Sequence, residues 1–332
     1  MGSQPALAYY VGVTPVGSLV LRSSLGMILP PTTQGELPSS GGSTSCTTYS
    51  APEVSELCRQ VEDSGADSLW AVDHLFWPHP IGEPLTTLAV ASVATTRPML
   101  GTCVLQLPLR RPAAIAKQAT ALQLLSGGRF VLGVGVGVHE GEYERAGTEY
   151  HRRGRLMDER VAELRASWED LEGSDYVMEP ASSPVPVWFG GSSETARRRA
   201  AAVGDGWIPL FLSPDDYASA LVRLRRDTED AGRDPESVAA AVVVFARVGD
   251  DDAADRGAAW LSTMYRLPAK AFHRHLAAGS PEACAERFRL YAEAGAHHIV
   301  VMVAGSPAVE QFRQLRAAFV PEESGVLAGS TA

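Results

Sequence analysis

Lysine is almost missing from this chain of 332 residues, with Lys117 and Lys270 the only two. A Schiff-base mechanism in an α/β fold needs a lysine at a strand end, whereas Lys117 falls in a helical stretch and Lys270 in an insertion, so that chemistry is not expected. Positive charge is short overall. The 29 basic residues stand against 39 acidic ones, and the formal charge of -10 provides no global field to attract nucleic acid or anionic lipid. Cys46, Cys58, Cys103 and Cys284 are far apart and form no CxxC, which argues against a disulfide scaffold or zinc knuckle and for a reducing, cytoplasmic setting. The first apolar stretch, Leu7 to Leu21, is broken by Gly12, Pro15 and Gly17 and lacks a basic leader, so neither a signal peptide nor a membrane span is expected. HExxH and GxSxG do not occur, which removes the obvious signatures of zinc-assisted hydrolysis and acyl transfer.

What is present is a regular alternation. Eight short apolar runs of strand type recur, at Leu25–Leu29, Ser68–Val72, Leu100–Leu107, Phe130–Val136, Val185–Phe189, Trp207–Leu210, Ala239–Val248 and His298–Val303. Most are continuous rather than alternating, as strands buried on both faces require. Helical stripes lie between them: Val54, Leu57, Cys58 and Val61; Ile115, Ala119, Leu122 and Leu125; Met157, Val161, Leu164, Trp168 and Leu171; Tyr217, Leu221 and Leu224; Cys284, Phe288 and Tyr291; Val309, Phe312, Leu315 and Phe319. Ser213 before Pro214 and Ser280 before Pro281 read as helix caps. The pattern predicts an α/β protein, a (β/α)8 TIM barrel with insertions, over residues 23–320. Residues 1–22 read as an N-terminal extension and 321–332 as a flexible tail. Pro31–Ser50 and Asp250–Gly279 interrupt the rhythm after strands 1 and 7 and are candidate lids over the C-terminal mouth.

In such a barrel the chemistry lies just past the strand ends. Strand 2 is followed by Asp73, His74 and, three residues on, Trp77; strand 3 by Arg110 and Arg111; strand 4 by Gly137, Val138, His139 and Glu140; strand 5 by Gly190, Gly191, Ser192 and Ser193. Asp73 is the one carboxylate well placed for a metal, and a single ligand makes no site. One histidine, aromatic residues and two glycine-rich turns suit a flat cofactor with a phosphate. The Gly190–Ser193 turn fits either an anion at a helix N-terminus or a serine cap, and the run from Gly133 to Gly137 either a cofactor cradle or small inward barrel residues. Arg110 or Arg111 is the candidate partner for an anionic tail.

Taken together, DSLWAVDHLFWP (67–78), EPLTTLA (83–89), LGTCVLQLPLRRPAAIAKQATALQLLSGGRFVLGVGVG (100–137), VPVWFGGSSETARRRAA (185–201) and GDGWIPL (204–210) resemble the bacterial luciferase-like monooxygenase superfamily, most closely its F420-dependent oxidoreductase branch. The resemblance implies a barrel that binds the deazaflavin F420, or alternatively FMN, at its mouth. Asp73 and His74 match the strand 2 pair whose histidine faces the reacting ring, with Asp73 fixing its orientation, and Trp77 matches an aromatic residue nearby. Thr102, Cys103 and Val104 match a strand 3 bulge under the ring, where a non-prolyl cis peptide or pronounced bulge is expected. Gly135, Val136, Gly137 and Val138, and Gly190, Gly191, Ser192 and Ser193, match segments that hold the cofactor tail and phosphate. Val138 replaces the glutamate of the sugar-phosphate dehydrogenase branch, which argues against that substrate.

The implied activity is hydride transfer between F420 and a small organic substrate, with no metal, a separate cofactor reductase and a homodimeric state as family expectations. The alternatives are an FMN-dependent monooxygenase using oxygen and a non-catalytic flavin-binding protein.

Overall fold

The continuous apolar runs become parallel strands because helices cover one face and the barrel interior the other. The structure is a computed structural model, and it describes residues 23–30, 50–169, 178 and 184–320. In chain order its elements are β1 (Ser24–Ile28), α1 (Ala51–Asp63), β2 (Ser68–Ala71), α2 (Pro84–Ala94), β3 (Met99–Thr102), β4 (Leu105–Gln106), α3 (Pro112–Leu125), β5 (Phe130–Gly135), α4 (Glu140–Arg145) and α5 (Arg153–Ala166). They continue with β6 (Val187–Gly190), α6 (Glu194–Val203), β7 (Gly206–Ile208), α7 (Pro214–Asp230), β8 (Ala239–Val248), α8 (Ala253–Tyr265), β9 (Leu276–Gly279), α9 (Pro281–Glu293), β10 (His298–Val303) and α10 (Ala308–Phe319).

Pairing runs β10-β1-β2-β3-β5-β6-β7-β8, all parallel, and β8 closes the ring on β10 in the register Ala241↔His298 to Ala246↔Val303. This is the expected (β/α)8 barrel. Two parts of the expectation are refined. The run Leu100–Leu107 is split: a cis peptide at Cys103–Val104 separates β3 from β4, which still pairs with β5, and Leu107 opens a 3-10 turn. Leu125, placed in the buried stripe of α3, is 56% exposed because the helix ends there and the stripe stops at Leu122. Ser213 and Ser280 cap α7 and α9 as read, accepting the N–H of Asp216 and Ala283.

The Asp250–Gly279 insertion is a wall rather than a hanging lid. Ala258 and Leu261 of α8, with Phe272 and Leu276, join the same buried cluster as Phe245 and Met302 from inside the barrel, and β9 adds to the free C-terminal half of β8. Residues 1–22 and 321–332, 31–49 of the other candidate lid, and Leu171 of the stripe that starts at Met157 lie outside the described residues.

The bottom of the barrel is closed by rings and a polar plug. Trp70 and Trp188 pack with centroids 5.5 Å apart, and His298 lies against both. Ser68 Oγ bonds His298 Nε2 at 2.7 Å and receives the Trp70 indole N–H at 2.6 Å, while Ser24 Oγ bonds His298 Nδ1. Burial pushes His298 down to about 4, so the plug is neutral, and both its ring nitrogens are satisfied. With the bottom sealed, only the opposite mouth can admit a ligand.

The glycines of β5 and β6 follow from the shape of strand 3. A Cβ at Gly133 would land on the Thr102 carbonyl oxygen, one at Gly135 on Val104 Cγ2, and one at Gly190 would be 2.7 Å from Val104 Cγ1. Because the Gly133 obstacle is backbone, Gly133→Ala is expected to cost about 1–3 kcal/mol or more in urea unfolding. An unfolding midpoint equal to that of the unmutated chain would contradict this packing.

Candidate active site

Past the end of β2 the two neighbours part: Asp73 is buried, and His74 is partly exposed. The Asp73 side chain is fully buried; it accepts the Gln106 N–H at 2.8 Å and an Arg110 N–H at 2.5 Å, and its carbonyl takes the Gln106 amide at 3.1 Å. Burial raises its pKa, against the pull of Arg110 and the Gln106 N–H. The expectation that Asp73 orients His74 is thus corrected, since its carboxylate is spent on β4 and Arg110. Arg110 is likewise not a free cation for a cofactor tail. It is 15% exposed, bonded to Asp73 and 4.0 Å from Glu83. Arg111 remains exposed at the start of α3.

His74 takes its support from elsewhere. Its Nδ1 lies 3.0 Å from Glu142 Oε2, and its ring stacks on Trp77 with centroids 3.8 Å apart and planes at 20°. His139 meets Trp77 edge-on at 4.5 Å. Glu142, on the first turn of α4, was not among the residues singled out from sequence. Burial pushes its carboxyl up, but the hydrogen bond and charge of His74, with those from Gln106 and the Phe76 N–H, outweigh it and hold the group below its ordinary value. A carboxylate depressed in the fold contributes stability above the ordinary carboxylate range and loses it as pH falls through the depressed value.

The cis peptide expected in the strand 3 segment is present. Cys103–Val104 is cis, Thr102 Oγ1 donates to the Gly133 carbonyl at 2.7 Å, and burial pushes the Cys103 thiol up to about 12, so it stays protonated at neutral pH. Beyond β5 the backbone is pinned by two phenols: Tyr143 donates to the Val136 carbonyl and Tyr150 to that of Val138 at 3.0 Å. Val138 is 71% exposed. Gly137 has φ +69°, and a Cβ there would meet the side-chain oxygen of Gln106.

The Gly190–Ser193 turn carries its own internal bonds. Gly191, at φ +106°, accepts the Trp207 indole N–H at 3.0 Å; Ser192 donates to the Leu210 carbonyl; Ser193 caps α6 through the Ala196 N–H at 3.2 Å. Gly191, Ser192 and Ser193 are exposed at the rim.

Next to this cluster opens a cleft of about 770 Å³, lined by Phe76, Trp77, Val138, His139, Glu142 and Arg145 among others; of the residues read from sequence as the site, Trp77 and Val138 line it, whereas His74 and the segments 102–104, 135–137 and 190–193 do not. Two buried polar atoms next to His74, Trp77 Nε1 and Gln106 Oε1, have no protein partner, which fits a site completed by a ligand bearing both N–H and carbonyl groups. Among the described residues no helix is long and apolar enough to cross a membrane, and no three His, Cys, Asp or Glu side chains are grouped to hold a metal.

The chain is similar to one mycobacterial relative in sequence and to two solved structures in fold. A phthiodiolone/phenolphthiodiolone dimycocerosates ketoreductase of Mycobacterium kansasii is 32% identical over 227 residues, 57% of this chain and 61% of the relative, so the chain spans about three fifths of that protein's length. The structure of an F420-dependent secondary alcohol dehydrogenase in complex with an F420-acetone adduct superposes with a TM-score of 0.73 at 18% identity, covering 90% of this chain and 99% of that one. The oxygenating constituent of 3,6-diketocamphane monooxygenase from Pseudomonas putida, a type II Baeyer-Villiger monooxygenase in complex with FMN, gives a TM-score of 0.68 at 17% identity over 90% and 98% of the two chains. At those identities the two structures establish the fold alone. The family model of luciferase-like monooxygenases matches residues 24–261, from the first barrel strand into the helix that walls the mouth, and the chain belongs to that family.

Proposed function

We propose that this chain is an F420-dependent oxidoreductase that interconverts a small ketone and its secondary alcohol, with His74 as the acid–base group. The observation that carries the reading is His74 itself, a partly exposed imidazole fixed through Nδ1 and by stacking on Trp77, which lines the neighbouring cleft. The ketoreductase relative supports the substrate class. A deazaflavin bound in the mouth supplies or takes up the hydride.

The protein's part is positioning and proton movement. Thr102, Cys103 and Val104, with Gly135, Val136, Gly137 and Val138, would hold the cofactor ring, and Gly190, Gly191, Ser192 and Ser193, next to the first N–H groups of α6, would take its phosphate. His74 gives or takes the substrate proton at Nε2, the nitrogen that Glu142 does not engage, and Trp77 keeps the imidazole plane fixed. Val138 offers no acid, so the substrate oxygen depends on His74.

The same reading includes a cytoplasmic protein, a separate enzyme that reduces the cofactor, and a homodimer. The contact between copies would use the charge-free helix α2 with Val93, 75% exposed, and the neighbouring Leu124 and Leu125 of α3.

The test is anaerobic turnover of reduced F420 with a panel of small ketones, followed by the return of oxidised deazaflavin absorbance. Ketone-dependent oxidation is expected. Turnover confined to reduced FMN and oxygen would replace this reading by the monooxygenase one, and no turnover with either would favour a silent flavin-binding protein.

A further inference from the structure

We propose that Glu142 is the positioning residue of this site, fixing His74 in the tautomer that carries its proton on Nδ1 and leaving Nε2 for the reacting proton. This rests on the reading of His74 as the acid–base group, although its main test does not need turnover.

The argument is one of donors and acceptors. The Glu142 side chain is 1% exposed, and its two oxygens are divided between two duties. Oε1 accepts the N–H of Leu75 at 2.5 Å and that of Phe76 at 3.3 Å; Oε2 faces His74 Nδ1 at 3.0 Å. An ionised carboxylate can only accept, so Nδ1 must donate. The competitor at Nδ1 is the Gln106 amide nitrogen, farther away at 3.4 Å, whose two hydrogens have the Asp73 carbonyl and the Glu142 carboxylate as acceptors. The nearer, charged partner decides the tautomer.

The other charged groups around the ring do not take over this role. Asp73 is occupied by Gln106 and Arg110. His139 lies 5.9 Å away, centroid to centroid, and contacts Trp77 rather than Nδ1. Arg145 and Arg266 line the cleft and offer donors only.

Glu142→Gln makes the claim testable with little change of shape. The backbone N–H groups of Leu75 and Phe76 still require an acceptor, so the glutamine oxygen stays with them and its NH2 turns to His74. Nδ1 must then accept, and the proton moves to Nε2. A neutral imidazole in that tautomer cannot take a proton at Nε2.

The measurement is the ring-nitrogen NMR spectrum of 15N-histidine-labelled protein without cofactor, at a pH where histidine is neutral. His74 is assigned among the eight histidines by the signals lost in His74→Ala. Wild type is expected to show a protonated Nδ1 and a bare Nε2, and Glu142→Gln the reverse, whereas Glu144→Gln, an exposed change on the same helix, leaves both signals in place. Alcohol oxidation by Glu142→Gln is expected to fall by about 10²-fold or more. A bare Nδ1 in the wild type overturns the proposal without any variant, and an unchanged tautomer in Glu142→Gln overturns it as well. Inversion of the tautomer with unchanged turnover upholds the positioning and removes His74 from the chemistry, so the two readings fail separately.

Discussion

His74→Ala is expected to lower turnover by about 10²-fold or more while F420 affinity stays within a few-fold and the fold is intact. The imidazole is 21% exposed at the mouth and contributes little to the core, so its loss removes a proton carrier rather than packing. Imidazole is the commonest acid–base group in catalysis, and positioned acid–base groups typically contribute about 10²- to 10⁴-fold. Steady-state kinetics with a reactive ketone, alongside a cofactor titration of the same variant, separate the two effects. Near-normal turnover would return His74 to a structural role. Equal losses in affinity and turnover would make it a binding residue.

Arg110→Ala is expected to be the most damaging single change to stability outside the backbone-crowded glycines, at about 3–5 kcal/mol, because it leaves the buried Asp73 carboxylate without its counter-ion. Arg110 is also the one cation bonded to that carboxylate among the described residues, at 2.5 Å with 15% of its side chain exposed. The Asp73 pKa is raised by burial, with Arg110 the foremost opposing influence, so removing the guanidinium leaves burial to act nearly alone. The carboxyl then takes up a proton more readily in the folded state than in the unfolded one. The folded-state value rises further above the unfolded value, so the variant is relatively more stable at low pH and loses that advantage as pH rises through the raised value. Urea unfolding of Arg110→Ala and of the double variant Arg110→Met with Asp73→Asn tests this, the pair expected to recover a large part of the loss. A single variant within about 1 kcal/mol of the unmutated chain would show that Asp73 is paired by other means.

The barrel was readable because its signal is repeated: eight buried runs, each followed by a helical stripe, all had to be explained by one topology. The strand 3 segment was readable only through resemblance, since nothing in the letters Thr-Cys-Val announces a cis bond. Adjacent letters misled in one place. Asp73 and His74 are neighbours in sequence, yet their side chains find different partners, one Arg110 and the other Glu142. Glu142 itself was hidden by distance, 68 positions from its partner, and by looking like an ordinary acidic residue at a helix start. Its one sequence signal was the acidic pair Glu140 and Glu142 just after the strand 4 glycines, in the region where Val138 had already shown the expected acid to be absent. The glycines of β5 and β6 were assigned to the cofactor, whereas Gly133, Gly135 and Gly190 are also required by Thr102 and Val104. Periodicity identifies which face is buried, and it carries no information about a backbone approaching from the neighbouring strand.

The choice of cofactor is the centre of the account, and parallel equilibrium titrations with F420 and FMN test it most directly, followed by quenching of tryptophan fluorescence, to which Trp77 at the cleft should contribute. F420 is expected to bind at least about ten times more tightly, a difference of about 1.4 kcal/mol. Tighter binding of FMN would contradict it.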